Sequence, residues 1–125
     1  MLWRRVHWVV GTATLVLFLL SGAYMRWLRT PAVSTLPDLT RSLYRSRHLF
    51  LLLVALANLT LSANSDSTRR PVRFAMVLLL VAPLLLFSAF FVEPTRGLGD
   101  SLLAAPAMYI LFLAAVILVF EGRRG

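Results

Sequence analysis

The chain of 125 residues contains no cysteine and no lysine. The first absence excludes disulfides, thiolate metal sites and a cysteine nucleophile. The second makes every one of the thirteen basic residues an arginine. A guanidinium is a planar fork that grips carboxylate or phosphate at two points, which a lysine ammonium does not do. Acidic residues are also few, five in all, so the net charge is +8. Charged residues make up 14% of the chain, against about 25% in a soluble globular domain.

What fills the space instead is hydrocarbon. Hydrophobic residues are 59% of the chain, and the mean hydropathy is +0.80. The charges fall in short clusters, and the apolar stretches between them are long enough to cross a hydrocarbon layer of about 30 Å as helices. The pattern predicts an all-α fold, an up-and-down bundle of four transmembrane helices over about 6–27, 40–63, 71–92 and 101–120, in a single domain. Trp3, Arg4 and Arg5 precede the first span, and Arg26, Trp27 and Arg29 follow it, as membrane–water interfaces select. A basic start, an apolar run and Ser21-Gly22-Ala23 also fit a signal peptide, but the run is long for one, and a retained helix is expected. Asp38 or Thr40 is available to cap the second helix, and Asp100 or Ser101 the fourth.

An even number of spans places both termini on one side. That side carries Arg4, Arg5, Arg69, Arg70, Arg73, Arg123 and Arg124, and the other Arg26, Arg29, Arg41, Arg45, Arg47 and Arg96. Seven against six is a slender bias, and it points the termini toward the cytoplasm of a bacterial-type inner membrane. The basic surplus beside apolar spans favours membrane lipids with anionic headgroups as partners rather than nucleic acid.

Helical spacing puts Tyr44, Arg47, Leu51, Val54, Asn58 and Ser62 on one stripe of the second helix. Asn58 is the amide deepest inside a span, so Asn58, Ser62 and Tyr44 are the intramembrane polar residues that either bond to other helices or line a path. On the first helix His7, Gly11, Thr14, Phe18, Ser21 and Gly22 share a face whose small residues suit close packing. At the rim opposite the termini, Arg26, Arg45, Arg47 and His48 are the candidate clamps for a headgroup, phosphate or carboxylate. Glu93, before Pro94, is expected to pair with an arginine or His48. His7 and His48 are also candidate haem ligands, but one lies at each end of the bundle, so one chain cannot offer both to one iron. No cofactor is therefore expected, and no nucleophile–base pair is readable from spacing.

Two families of similar size offer partial likenesses. Small four-helix multidrug exporters work through a glutamate in the first helix, and the first span here has no carboxylate. Gly22-Ala23-Tyr24-Met25-Arg26, Asn58 and Phe87-Ser88-Ala89-Phe90 resemble motifs of the fluoride-channel family, which implies four helices. The glycine pairs before the arginine and the threonine-rich break before the phenylalanines are missing, so no family is assigned. The expected function is that of a non-enzymatic structural, accessory or anionic-lipid-interacting membrane protein, self-associating or docked to a larger complex. An oligomeric transporter or channel for a small solute or anion and a haem or redox protein are the alternatives.

Overall fold

The computed structural model describes residues 2–64, 69–96 and 102–123. Among them the regular structure is helical: α1 (Leu2–Ala23), α2 (Asp38–Asn64), α3 (Arg70–Arg96) and α4 (Ala104–Arg123). All four are long and apolar enough to cross a membrane. Each helix departs from its expected limits. α1 starts nearer the terminus and runs directly into a wider π-turn over Tyr24–Leu28, where the Arg29 amide donates to the Tyr24 carbonyl five residues back at 3.0 Å. α2 begins at Asp38, whose carboxylate pairs with Arg41. α3 continues through Pro94 to Arg96. Asp100 and Ser101, the expected caps of α4, lie outside the described residues.

The helices pack in sequence, α1 on α2, α2 on α3 and α3 on α4, with a lesser contact between α1 and α3. The chain therefore reads as two helical hairpins joined along α2 and α3. Alanines set the spacing of the second hairpin. Ala75, Ala82 and Ala89 of α3 and Ala104, Ala107 and Ala114 of α4 are buried in one cluster, and such small side chains let the two backbones approach. Leu51 and Val54 of α2 and Leu79 and Leu86 of α3 fill the space beside them. Outward, by contrast, Trp8, Leu84 and Phe112 stand 58%, 70% and 69% exposed, an apolar exterior far beyond the patches that water-soluble monomers show.

One glycine sets the distance between α1 and α2. A Cβ on Gly11 would sit 2.8 Å from Leu59 Cγ and 3.0 Å from the Leu59 backbone nitrogen. The second contact is with main chain, so only a shift of one helix relieves it. Gly122 of α4 has open space around it. Gly11→Ala is therefore expected to lose about 1–2 kcal/mol, a strain of overpacking offset by better helix propensity. Gly122→Ala is expected to be neutral or stabilising. Thermal unfolding of the two variants in one detergent decides the matter, and equal midpoints would show that α1 and α2 are not in van der Waals contact there.

Candidate functional site

Arg47 and Glu93 form a buried pair between α2 and α3. The arginine Nε and Nη2 donate to Glu93 Oε2 at 2.9 and 2.7 Å, with side-chain exposures of 7% and 2%. The other carboxylate oxygen, Oε1, accepts the amides of Leu103 and Ala104 at 2.7 and 2.8 Å. Those amides open α4, where a helix has no internal partners for its N–H groups and a positive dipole end. Glu93 thus caps α4 from a neighbouring helix while it neutralises Arg47. This differs from the expectation that Arg47 would stand on the headgroup rim. On the stripe with Leu51 and Val54 it faces α3, and a guanidinium so placed needs a carboxylate rather than a lipid.

The second polar group sits deeper. Asn58 is wholly buried, and its amide Nδ2 donates to the carbonyls of Val54 and Leu79, each at 3.0 Å. The Leu79 bond has a specific cause. Pro83, inside α3, has no N–H, so the carbonyl four residues earlier loses its helical donor. Asn58 supplies the missing hydrogen from α2. With Nδ2 committed, Oδ1 faces His7 Nδ1 at 2.7 Å, and an amide oxygen can only accept. His7 therefore carries its proton on Nδ1, and its buried Nε2 has no hydrogen-bond partner among the described residues. Three helices are tied by one asparagine.

Ser21 and His48 make the third connection, at the far end of α1. Ser21 donates to the Phe18 carbonyl at 2.8 Å and lies 2.8 Å from His48 Nδ1. One hydroxyl has one hydrogen, so the second bond runs from His48 Nδ1–H to Ser21 Oγ. The imidazole stacks on Phe18 with centroids 4.2 Å apart. Its Cε1–Nε2 edge lies against Gly22, where a Cβ would come within 3.2 and 3.6 Å of those atoms. Ser21 and His48 are thus a nucleophile–base pair in distance, which spacing did not reveal. With the Ser21 hydrogen on a helix carbonyl and the hydroxyl buried, it works as a tether.

Gly22 also borders a cleft of about 420 Å³ between the π-turn and α2, lined with Met25, Arg26, Val33, Ser34 and Arg45. Both arginines are exposed, and neither guanidinium has a carboxylate partner among the described residues. Arg26 lies over the Trp27 ring, 5.6 Å from its centroid. Arg45 also borders a second cleft of about 510 Å³ with Asp38, Arg41, Ser42, Ser46 and Leu49. Tyr44 is buried, and its hydroxyl accepts from Arg29 Nε at 3.1 Å. Ser62 sits at the opposite end, where its carbonyl accepts from Arg4 Nε at 3.0 Å.

No protein-family model, curated protein or solved structure matches this chain. The arrangement itself therefore carries the functional argument. Of the residues singled out from sequence, Arg26 and Arg45 meet at one cleft with the His48 edge behind Gly22. Arg47 and Glu93 neutralise each other inside, and Asn58 bonds to three protein groups. Ser21 is the participant that sequence reading left as packing, and His7, singled out there as packing or a haem ligand, bonds to Asn58. His7 pairs with Asn58 and His48 with Ser21, and the 14 residue steps of α1 from His7 to Ser21 rise about 21 Å. The two imidazoles thus remain far too distant to share one iron.

Proposed function

We propose that the chain is a multi-pass membrane protein whose four helices run up and down with both termini on one side, and that it holds an anionic phospholipid headgroup in the cleft between Arg26 and Arg45. The observation that carries this reading is the division of labour among neighbouring arginines. Arg47 is buried and matched by Glu93, whereas Arg26 and Arg45 line a common cleft without a carboxylate. Ser34 adds a hydroxyl to that cleft and Met25 and Val33 add apolar surface, which suits a phosphate above a glycerol backbone. Exposed Trp27 and Leu28 beside it and exposed Leu49 on α2 lie where acyl chains would run. The role is one of binding rather than chemistry. A conduction path would depend on Asn58, and that residue spends its amide on Val54, Leu79 and His7, which leaves it nothing to offer a solute.

The paired substitution Arg26→Gln/Arg45→Gln tests the cleft. A basic residue at a lipid surface contributes about 1 kcal/mol, so losing both is expected to weaken binding of phosphatidylglycerol roughly 30-fold. Arg70→Gln/Arg73→Gln removes the same charge at the start of α3, the other end of the molecule, and is expected to leave that affinity unchanged. Lipid titration followed by native mass spectrometry reads both. Equal weakening in the two variants would show that net charge, not this cleft, attracts the lipid.

A further inference from the structure

His48 gives the cleft a means of choosing among anionic headgroups, an inference that rests on reading the cleft as a headgroup site. Its Nδ1–H is fixed on Ser21 Oγ, because the serine hydrogen is already on the Phe18 carbonyl. In the neutral ring this leaves Nε2 as a bare acceptor. No protein donor meets that nitrogen among the described residues. Gly22, which lines the cleft, is the residue against that ring edge: a Cβ there would come within 3.2 Å of Cε1 and 3.6 Å of Nε2. Phe18 stacked on the ring stops it from turning away.

The cleft lining thus holds two guanidinia, and against its Gly22 lies one acceptor held in a set orientation. Two guanidinia recognise any phosphate. An acceptor nitrogen adds nothing for a headgroup without hydrogen to give, and adds a bond for one that carries an alcohol hydroxyl close to its phosphate. We propose that His48 Nε2 accepts a hydrogen bond from the headgroup hydroxyl of a phosphodiester lipid, so that the site prefers glycerol-type anionic headgroups to non-hydroxylated ones of equal charge. No covalent step is involved.

The test compares dioleoylphosphatidylglycerol with dioleoylphosphatidylmethanol, which has the same chains and the same single negative charge but no headgroup hydroxyl. One hydrogen bond corresponds to a preference of roughly 3- to 10-fold, expected for the wild-type protein in lipid titration by native mass spectrometry. His48→Asn keeps a donor near the Nδ1 position for Ser21 and deletes Nε2. It is expected to bind both lipids with the wild-type phosphatidylmethanol affinity. His48→Phe, which keeps the stacking on Phe18, is expected to lose the preference as well. Equal wild-type affinities for the two lipids, both dependent on Arg26 and Arg45, would overturn the His48 inference and leave the headgroup site standing. A preference that survives in both His48 variants would overturn it too. Binding of either lipid that ignores Arg26 and Arg45 would remove the headgroup site and this inference with it.

Discussion

Glu93→Ala is expected to cost about 3–5 kcal/mol of stability, the usual penalty for stripping one partner from a buried ion pair. Two injuries combine in that figure. Arg47, 7% exposed in its side chain, keeps its charge with Glu93 gone. The amides of Leu103 and Ala104 lose the oxygen that caps α4, a loss of about 1 kcal/mol by itself. Glu93→Gln is expected to fall between, since an amide oxygen still accepts hydrogen bonds but returns no charge. The informative comparison is Arg47→Met/Glu93→Leu. Removing both charges spares the desolvation of a lone ion, so the double variant is expected to recover most of the loss, short of the cap. Unfolding in mixed detergent micelles measures all three, together with the single Arg47→Met and Glu93→Leu variants. If the double variant were as unstable as the two single losses added together, the pair would not be acting as a unit.

Asn58→Leu is expected to cost about 2–3 kcal/mol, because it leaves the His7 Nδ1–H and the Leu79 carbonyl unpaired in an apolar interior. The link to Pro83 makes a sharper statement than the magnitude does. In a Pro83→Ala background the amide of residue 83 returns to the Leu79 carbonyl, so Asn58 has one group fewer to satisfy. The cost of Asn58→Leu should then shrink by about 1 kcal/mol, and a double-mutant cycle isolates that coupling. An unchanged cost would show that Leu79 finds its donor elsewhere. His7→Phe is expected to lose less than Asn58→Leu, since it removes the buried unpaired Nε2 together with the donor.

Much of this arrangement is legible from the residues alone, and what is not has a physical reason. The 3.6-residue period already places Tyr44, Arg47, Leu51, Val54, Asn58 and Ser62 on one face of α2, and all but the half-buried Ser62 are buried. The same period gathers His7, Gly11, Thr14, Phe18, Ser21 and Gly22 on α1, of which His7, Gly11, Thr14 and Ser21 are buried and Phe18 and Gly22 half-buried. Periodicity assigns faces, however, and not partners. His7 meets Asn58 across 51 residues and Ser21 meets His48 across 27, pairings set by the register of two antiparallel helices that no local signal encodes. The contrast between Arg45 and Arg47 was within reach. They lie about 200° apart around α2 at 100° per residue, so only one can share the stripe with Leu51 and Val54, and that one needs the carboxylate. Pro83 carried a further readable signal. A proline inside a buried helix leaves a carbonyl one turn earlier in want of a donor, and Asn58, an amide with no other evident role, is the kind of residue that answers it.

The division into two hairpins gives the Arg47–Glu93 pair a history as well as a position. Its members lie 46 residues apart, one in each hairpin, so at ribosomal rates of about 5–20 residues per second the arginine is made roughly 2–9 s before its counter-ion. In the membrane topology proposed above, the first hairpin would hold during that interval a guanidinium that hydrocarbon will not accept, and the long side chain would keep the start of α2 near the water boundary. On that proposal the arrival of α3 would cancel the charge and let α2 settle to its final depth. The insertion of the second hairpin would thereby complete the first, and a chain that stopped short would keep an arginine without its counter-ion.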